Sequence, residues 1–210
     1  MPDEAVKVAK GIRKPKARKF YQVRPDFRSA GLAGFQVENL SRLLLGRLAL
    51  GPAPGRRGFP SYPEAPRLLF DKKLGRAPRD LEQYHDYWLI SDRMKTVLEA
   101  VDPDGGAFVR CEVRLRDGEP GPAYWLCDVI RVLDAVDEAA SQLMILERAG
   151  QKLYAIMGGT KLTFREDAVG SAHVCRLTYS IATVICDQTF KDSCKSAGLK
   201  GIAFTDVNNS

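Results

Sequence analysis

Side chains able to do chemistry are few in this chain and widely spaced. Its 210 residues include two histidines, His85 and His173, and five cysteines, Cys111, Cys127, Cys175, Cys186 and Cys194. Covalent catalysis needs a nucleophile, a base and an orienting group within reach of one another. In "SAHVCRL", His173 and Cys175 stand two apart and would share one face of a strand, but the apolar flanks make Cys175 read as core. The cysteines lack the clustered spacing of a zinc site, and most sit in apolar runs such as "YWLCDVI" and "TVICD". They read as buried thiols in a reducing compartment. Four carboxylates, Asp128, Asp134, Asp137 and Glu138, lie close in sequence. Hard cations need several oxygens converging from a tight loop or facing elements. An irregular run does not promise that, so these acids read as caps and a solvated edge. "MGGT" lacks the Lys-Ser/Thr of a phosphate loop, and "GPAPGRRG" opens no helix. The reading therefore assigns no catalytic residue, no metal and no cofactor, and it favours a binding protein over an enzyme.

Recognition chemistry is better represented. "GPAPGRRGFPSYPEAP", residues 51–66, holds five prolines and excludes regular structure. A loop this long in a compact domain is functional or mobile. It is expected to be exposed and to offer Arg56, Arg57, Phe59 and Tyr62 as partner-binding residues, since arginine and aromatics are favoured interface material. The net charge of +6 is concentrated at the start. Residues 1–30 carry nine Lys or Arg against three Asp or Glu, and the remainder is balanced at 23 against 23. Residues 1–19 are expected to be a disordered basic tail, either solvated or facing an anionic partner. A balanced body does not favour nucleic acid as partner.

Around these residues the periodicity predicts an α+β protein: mostly antiparallel sheet, a few short helices and two similar strand–helix–strand lobes. One domain is expected over residues 20–207, with 208–210 as a tail. No apolar run approaches the ~18 residues of a membrane span. "KFYQVRPDF" and "RLLF" read as strands, and "LGRAPRDLEQYHD" as an irregular crossing. In "NLSRLLLGRLALG", Leu40, Leu43, Leu44 and Leu48 make one core-facing helical stripe. "YWLI", with Trp88, is a buried strand, and Ser91 caps a helix whose Met94, Val97, Leu98 and Val101 form one apolar face. "AFVRCEVRL" alternates as a half-buried strand, and the Trp125 region reads as another. In the last third, "QLMILE", "QKLYAIM", "KLTF", "HVCRLTYS" and "ATVIC" read as strands, with a hairpin at Gly158–Gly159. An echo of the first helix follows: Asp187 as cap, Phe190 and Cys194 stacked, and Gly198 as left-handed C-terminal cap.

Three stretches carry a family resemblance: "DYWLISDRMKTVLEAVDPDGGAFVRCEV", "YWLCDVIRVLDAVDEAAS" and "VICDQTFKDSCKSAGLKGIAFTDV". Together they resemble the eleventh immunity-protein family of bacterial polymorphic toxin systems. The matching features are the hydrophobic-Ser opener Ile90–Ser91, the Asp137–Ser141 segment, and Phe190, Lys191, Gly198, Leu199, Gly201 and Phe204. The resemblance covers roughly residues 19–207, leaving the loop at 51–66 and the basic tail outside the pattern. It implies an α+β effector-immunity partner, encoded beside a secreted toxin such as a type VI effector and neutralising it in the bacterial cytoplasm. It transfers no catalytic residue.

Overall fold

The computed structural model describes residues 18–28 and 31–208. Residues 1–17 of the expected tail and 209–210 of the expected C-terminal tail lie outside the described residues. The strands are β1 (Phe20–Pro25), β2 (Phe35–Val37), β3 (Arg67–Phe70), β4 (Leu81–Tyr84), β5 (Tyr87–Ser91), β6 (Gly106–Leu115), β7 (Tyr124–Val129), β8 (Val132–Leu133), β9 (Met144–Arg148), β10 (Gln151–Ala155), β11 (Val174–Leu177), β12 (Ser180–Asp187) and β13 (Ile202–Asp206). The helices are α1 (Leu40–Leu44), α2 (Asp92–Val101), α3 (Glu166–Val169) and α4 (Gln188–Ser196). One sheet runs β2-β3-β6-β7-β5-β4, a second runs β13-β1-β12-β11-β8, and β9 with β10 makes a separate hairpin. Pairing is antiparallel except between β3 and β6 and between β8 and β11. The molecule is α+β, as its sequence pattern implies.

Strands β5, β7 and β11 are buried on two sides, and so they are mostly apolar in both registers, whereas β6 alternates with Arg110, Glu112 and Arg114 exposed. Trp88 and Ile90 of β5, Cys127 and Val129 of β7, Tyr21 and Val23 of β1, and Val184 and Cys186 of β12 share one core. Helices α2 and α4 complete it with Met94, Leu98, Phe190 and Cys194. Each such side chain contributes roughly 1.5–3 kcal/mol of burial. The intervening register faces the other way. Tyr87, Leu89, Tyr124 and Leu126 meet Leu43, Leu50, Phe59 and Tyr62 in a second core. Phe20, Cys175, Leu177 and Ile185 meet Val136, Tyr154, Leu162 and Phe164 in a third.

The two strand–helix–strand units are congruent beyond their helices. In each, a hairpin (β4-β5 or β11-β12) leads into the helix. The strand after the helix then lies parallel to the strand before it, with an antiparallel strand between them. The filler is β7 in one unit and β1 in the other. The sequences align without a gap from Trp88 on Val184 to Val109 on Thr205, and the contacts coincide. The Trp125 indole donates to Asp92 (2.9 Å) as the Tyr21 hydroxyl donates to Gln188. Lys95 lies 4.7 Å over the Trp125 ring as Lys191 lies 3.5 Å over Tyr21. The Ile130 amide donates to the Gly105 carbonyl as the Asp26 amide donates to Gly201.

Four local expectations are corrected. The first leucine stripe stops early. Leu45 and Gly46 take left-handed φ values of 49° and 79°, so α1 ends at Leu44 and Leu48 is fully exposed. "DLEQY" contains β4 rather than an irregular crossing. The hairpin turn falls at Ala149–Gly150, between Arg148 and Gln151, and Gly158–Gly159 is a plain turn. "KLTF" forms isolated bridges instead of a strand, although Leu162 and Phe164 are buried.

Candidate functional site

The loop at residues 51–66 covers the outer face of the six-stranded sheet, and this decides where its side chains go. Arg56 is exposed. Arg57 turns inward and ion-pairs with Asp128, which is completely buried on β7. The Gly58 amide donates to the other Asp128 oxygen at 2.7 Å. The Phe59 ring sits 4.5 Å from Tyr87, whose hydroxyl donates to the Gly58 carbonyl, and Tyr62 packs on the same core. Of the four residues expected to face outward, Arg57, Phe59 and Tyr62 are thus committed to holding the loop down. A sheet face lined by Tyr87, Leu89 and Leu126 needs a cover, and this segment supplies it.

Asp128 is also the pivot between the two sheets. Arg176 of β11 reaches it at 3.3 Å and donates to the carbonyls of Val129 (2.9 Å) and Ile181 (2.8 Å). Burial, and then the charge of Arg57, pull the Arg176 guanidinium below its ordinary value, with Asp128 opposing them. Asp128 therefore differs from the solvated acid expected of it. A second bridge runs through Asp102, just past α2, which pairs with Arg131 at 2.5 Å and accepts from the amides of His173 and Val174. Burial pushes the Asp102 carboxyl up, but Arg131 and the two amides hold it below the usual carboxylate range.

His85 is exposed and stacks edge-on with Tyr84, while most of the other chemistry-bearing residues are engaged in the framework. Ser91 accepts from the Met94 amide and donates to Asp80. Asp187 accepts from the Phe190 amide, meets the His173 ring at 2.8 Å and pairs with Arg18 at 2.9 Å. Gly198, at φ 64°, closes α4: its amide and that of Leu199 return to the carbonyls of Lys195 and Cys194. The Asp137–Ser141 turn is locked as the Ser141 hydroxyl donates to the Asp137 carbonyl and accepts from the Thr163 amide. All five cysteines are buried, and burial pushes the thiols of Cys111, Cys175 and Cys194 up to about 12. His173 and Cys175 do not act as a pair, because Cys175 faces the third core and His173 faces Asp187. Among the described residues no three His, Cys, Asp or Glu side chains are grouped as metal ligands. No helix among them is long and apolar enough to cross a membrane.

Two surface features were not singled out by residue pattern. An open cleft of about 870 Å³ lies at one end of the six-stranded sheet, walled by Phe70, Leu115, Pro78 and Pro122 and rimmed by Lys72, Lys73 and Arg116. The β9-β10 hairpin exposes Met144, Ile145, Leu146 and Leu153. A signal for the latter was present in "LMIL", an apolar run without the polar alternation of a half-buried strand. A family model described as the immunity protein family (Imm11) matches residues 19–209. No curated protein matches the chain.

Proposed function

We propose that this chain, which belongs to the immunity protein family (Imm11), binds a toxin protein and blocks its action on the cell that makes both. The observation carrying this reading is the family match, which spans nearly the whole chain, including both congruent units. The framework roles of His173, Ser91, Asp187 and Asp128 agree with it. These side chains spend their bonding capacity on caps and on ties between sheets. The partner is a cognate effector encoded by a neighbouring gene and delivered by a secretion system of the type VI kind. The two meet in the bacterial cytoplasm, without cofactor or metal.

An inhibitor of this size works by covering a surface of about 800 Å² on its target. The charge-balanced body does not imitate nucleic acid, so the reading favours a cover placed on or beside the effector's cleft. Arg56, the outward cation of the 51–66 loop, is proposed as one contact at the rim. Co-production of the neighbouring effector with this chain is expected to restore growth, and the purified proteins to form an equimolar complex. Failure of both would overturn the reading. Deleting residues 1–17 is expected to leave neutralisation unchanged. If that deletion instead abolishes it along with a steeply salt-dependent affinity for DNA or RNA, the chain acts as a nucleic-acid-associated module.

A further inference from the structure

The hairpin differs from the rest of the sheet surface in having one face fastened and one bare. Side chains alternate across a strand, and directly paired residues share a face. On the inner face, Tyr154 is buried against Tyr179, with ring centroids 5.2 Å apart. Lys152 lies 3.9 Å over the Tyr179 ring, and both Lys152 and Tyr154 donate to Glu138 at 2.5 Å. The outer face pairs Met144 with Ala155 and Leu146 with Leu153, and Met157 follows the end of β10. Met144 is 53% exposed, Leu146 47%, Leu153 38% and Met157 62%. Strand β9 is exposed along its whole length and pairs only with β10 among the described residues. Exposed strand edges are normally blunted by charge, proline or a bulge. None of these interrupts Met144–Leu146.

We infer that the outer face and free edge of this hairpin are the principal grip on the protein partner. The surface offered in return is an apolar groove with an extended segment at its rim. The inference rests on the immunity reading above. A fastened hairpin presents its apolar side chains without having to be ordered on binding, which lowers the entropic cost of association. Methionine at two of the positions lets the face adapt to its groove. A second copy of this chain is a poorer occupant. Edge-to-edge pairing of two β9 strands would set two bare faces side by side and enlarge the exposed apolar surface. Face-to-face stacking would cover only a few side chains, well short of the ~800 Å² per partner of a stable interface. A groove on a larger protein covers face and edge together. Glu147 and Arg148 of opposite sign follow the apolar run, so attraction through net charge is small and binding is expected to depend weakly on ionic strength.

The test uses the full chain and the catalytically inactivated product of the neighbouring toxin gene. Leu146→Asp with Leu153→Asp is expected to weaken the complex by at least about 30-fold with the thermal melt unchanged, since hot-spot truncations cost about 2 kcal/mol or more and about 1.4 kcal/mol is tenfold. Lys72→Glu, in the cleft, is expected to bind as the parent does. A photo-crosslinking residue at Ala155, which lies on the outer face opposite Met144 and leaves its large apolar side chains intact, is expected to join the toxin. Retained affinity in the double variant together with no crosslink at Ala155 overturns the inference. Sedimentation that changes from dimer to monomer in the double variant, with toxin binding unaltered, also overturns it. If the parent chain itself binds no toxin, the immunity reading falls first and this inference with it.

Discussion

At the scale of single residues, this protein spends its charged groups on holding separate layers together. Arg57, Asp128 and Arg176 come from a loop and from two different sheets and meet around one buried carboxylate. Removing one member of such a set leaves uncompensated charge in a low-dielectric site, which costs about 3–5 kcal/mol. Asp128→Asn is therefore expected to lower the unfolding free energy by that amount in urea titrations, more than any truncation of an exposed loop residue such as Arg56→Ala. Asp102 and Glu82 set the acid limit. Burial raises each carboxyl, and arginine and backbone amides more than offset that rise and hold each below its ordinary value. A depressed folded pKa gives stability that is present above the unfolded value and is lost as pH falls through the folded one. Stability is thus expected to drop below about pH 4, the unfolded carboxylate range. Asp102→Asn is expected to be less stable than the parent at pH 6, with the gap narrowing by pH 3. Converging gaps in urea midpoints at the two pH values would bear this out, and parallel curves would contradict it. None of these partnerships was legible in sequence, because Arg57 and Arg176 are remote from Asp128 along the chain. An aspartate between apolar residues looks the same whether its partner is water or a guanidinium.

Helices and turns were more legible where local chemistry fixes them. Ser91 and Asp187 accept from the third amide of their helices, as short polar residues before an apolar run imply. The two caps differ in surroundings. Ser91 donates onward to Asp80, whereas Asp187 also holds His173 and Arg18. Ser91→Ala is expected to cost about 1 kcal/mol, within the usual range for a lost cap. Asp187→Ala is expected to cost more in the same thermal melts, and equal losses would show that the extra contacts contribute nothing. Elements misread from sequence are those in which tertiary context overrode local pattern. The α1 stripe predicted a longer helix, but Leu50 is fully buried beyond the break, and the chain leaves the helix at Leu45 to place it. The β9-β10 turn contains Ala149 at φ 50° beside Gly150 at φ 73°, a two-residue turn with both residues left-handed. Alanine carries strain there that asparagine tolerates. Ala149→Asn is expected to raise the melting temperature by a few degrees, corresponding to about 0.5–1 kcal/mol.

For the molecule as a whole, the decisive feature is repetition with a changed chain order. The punctuation of the two helical units is visible in sequence, but their equivalence is not. Lys95 and Lys191 match, as do Phe108 and Phe204, while Trp125 corresponds to Tyr21 and Cys127 to Val23. A filler strand that follows its unit in one case and opens the described chain in the other breaks any linear alignment. The covers over the outer faces, residues 51–66 and 133–172, have no counterpart in each other. The proposed binding surface is less legible still. An arginine- and aromatic-rich loop looks like an interface in sequence, and in the fold its Phe59 and Tyr62 also pack in one core with Tyr87 and Leu89. The apolar run at Met144 was read as an ordinary strand, because sequence cannot show that a strand lacks a second neighbour.

The position of β1 has a consequence for synthesis. The unit containing β4 to β7 is complete once residue 129 has emerged, and its contacts are short-range. Phe20 and Val23 are made before it, yet their neighbours are Asp187, Val184 and Phe204, made after it. A strand with apolar side chains on both faces must therefore wait, without these partners, until they emerge. Long-range pairing of this kind closes slowly. The sheet in which β1 lies between β12 and β13 is thus expected to close after the unit of β4 to β7 has formed.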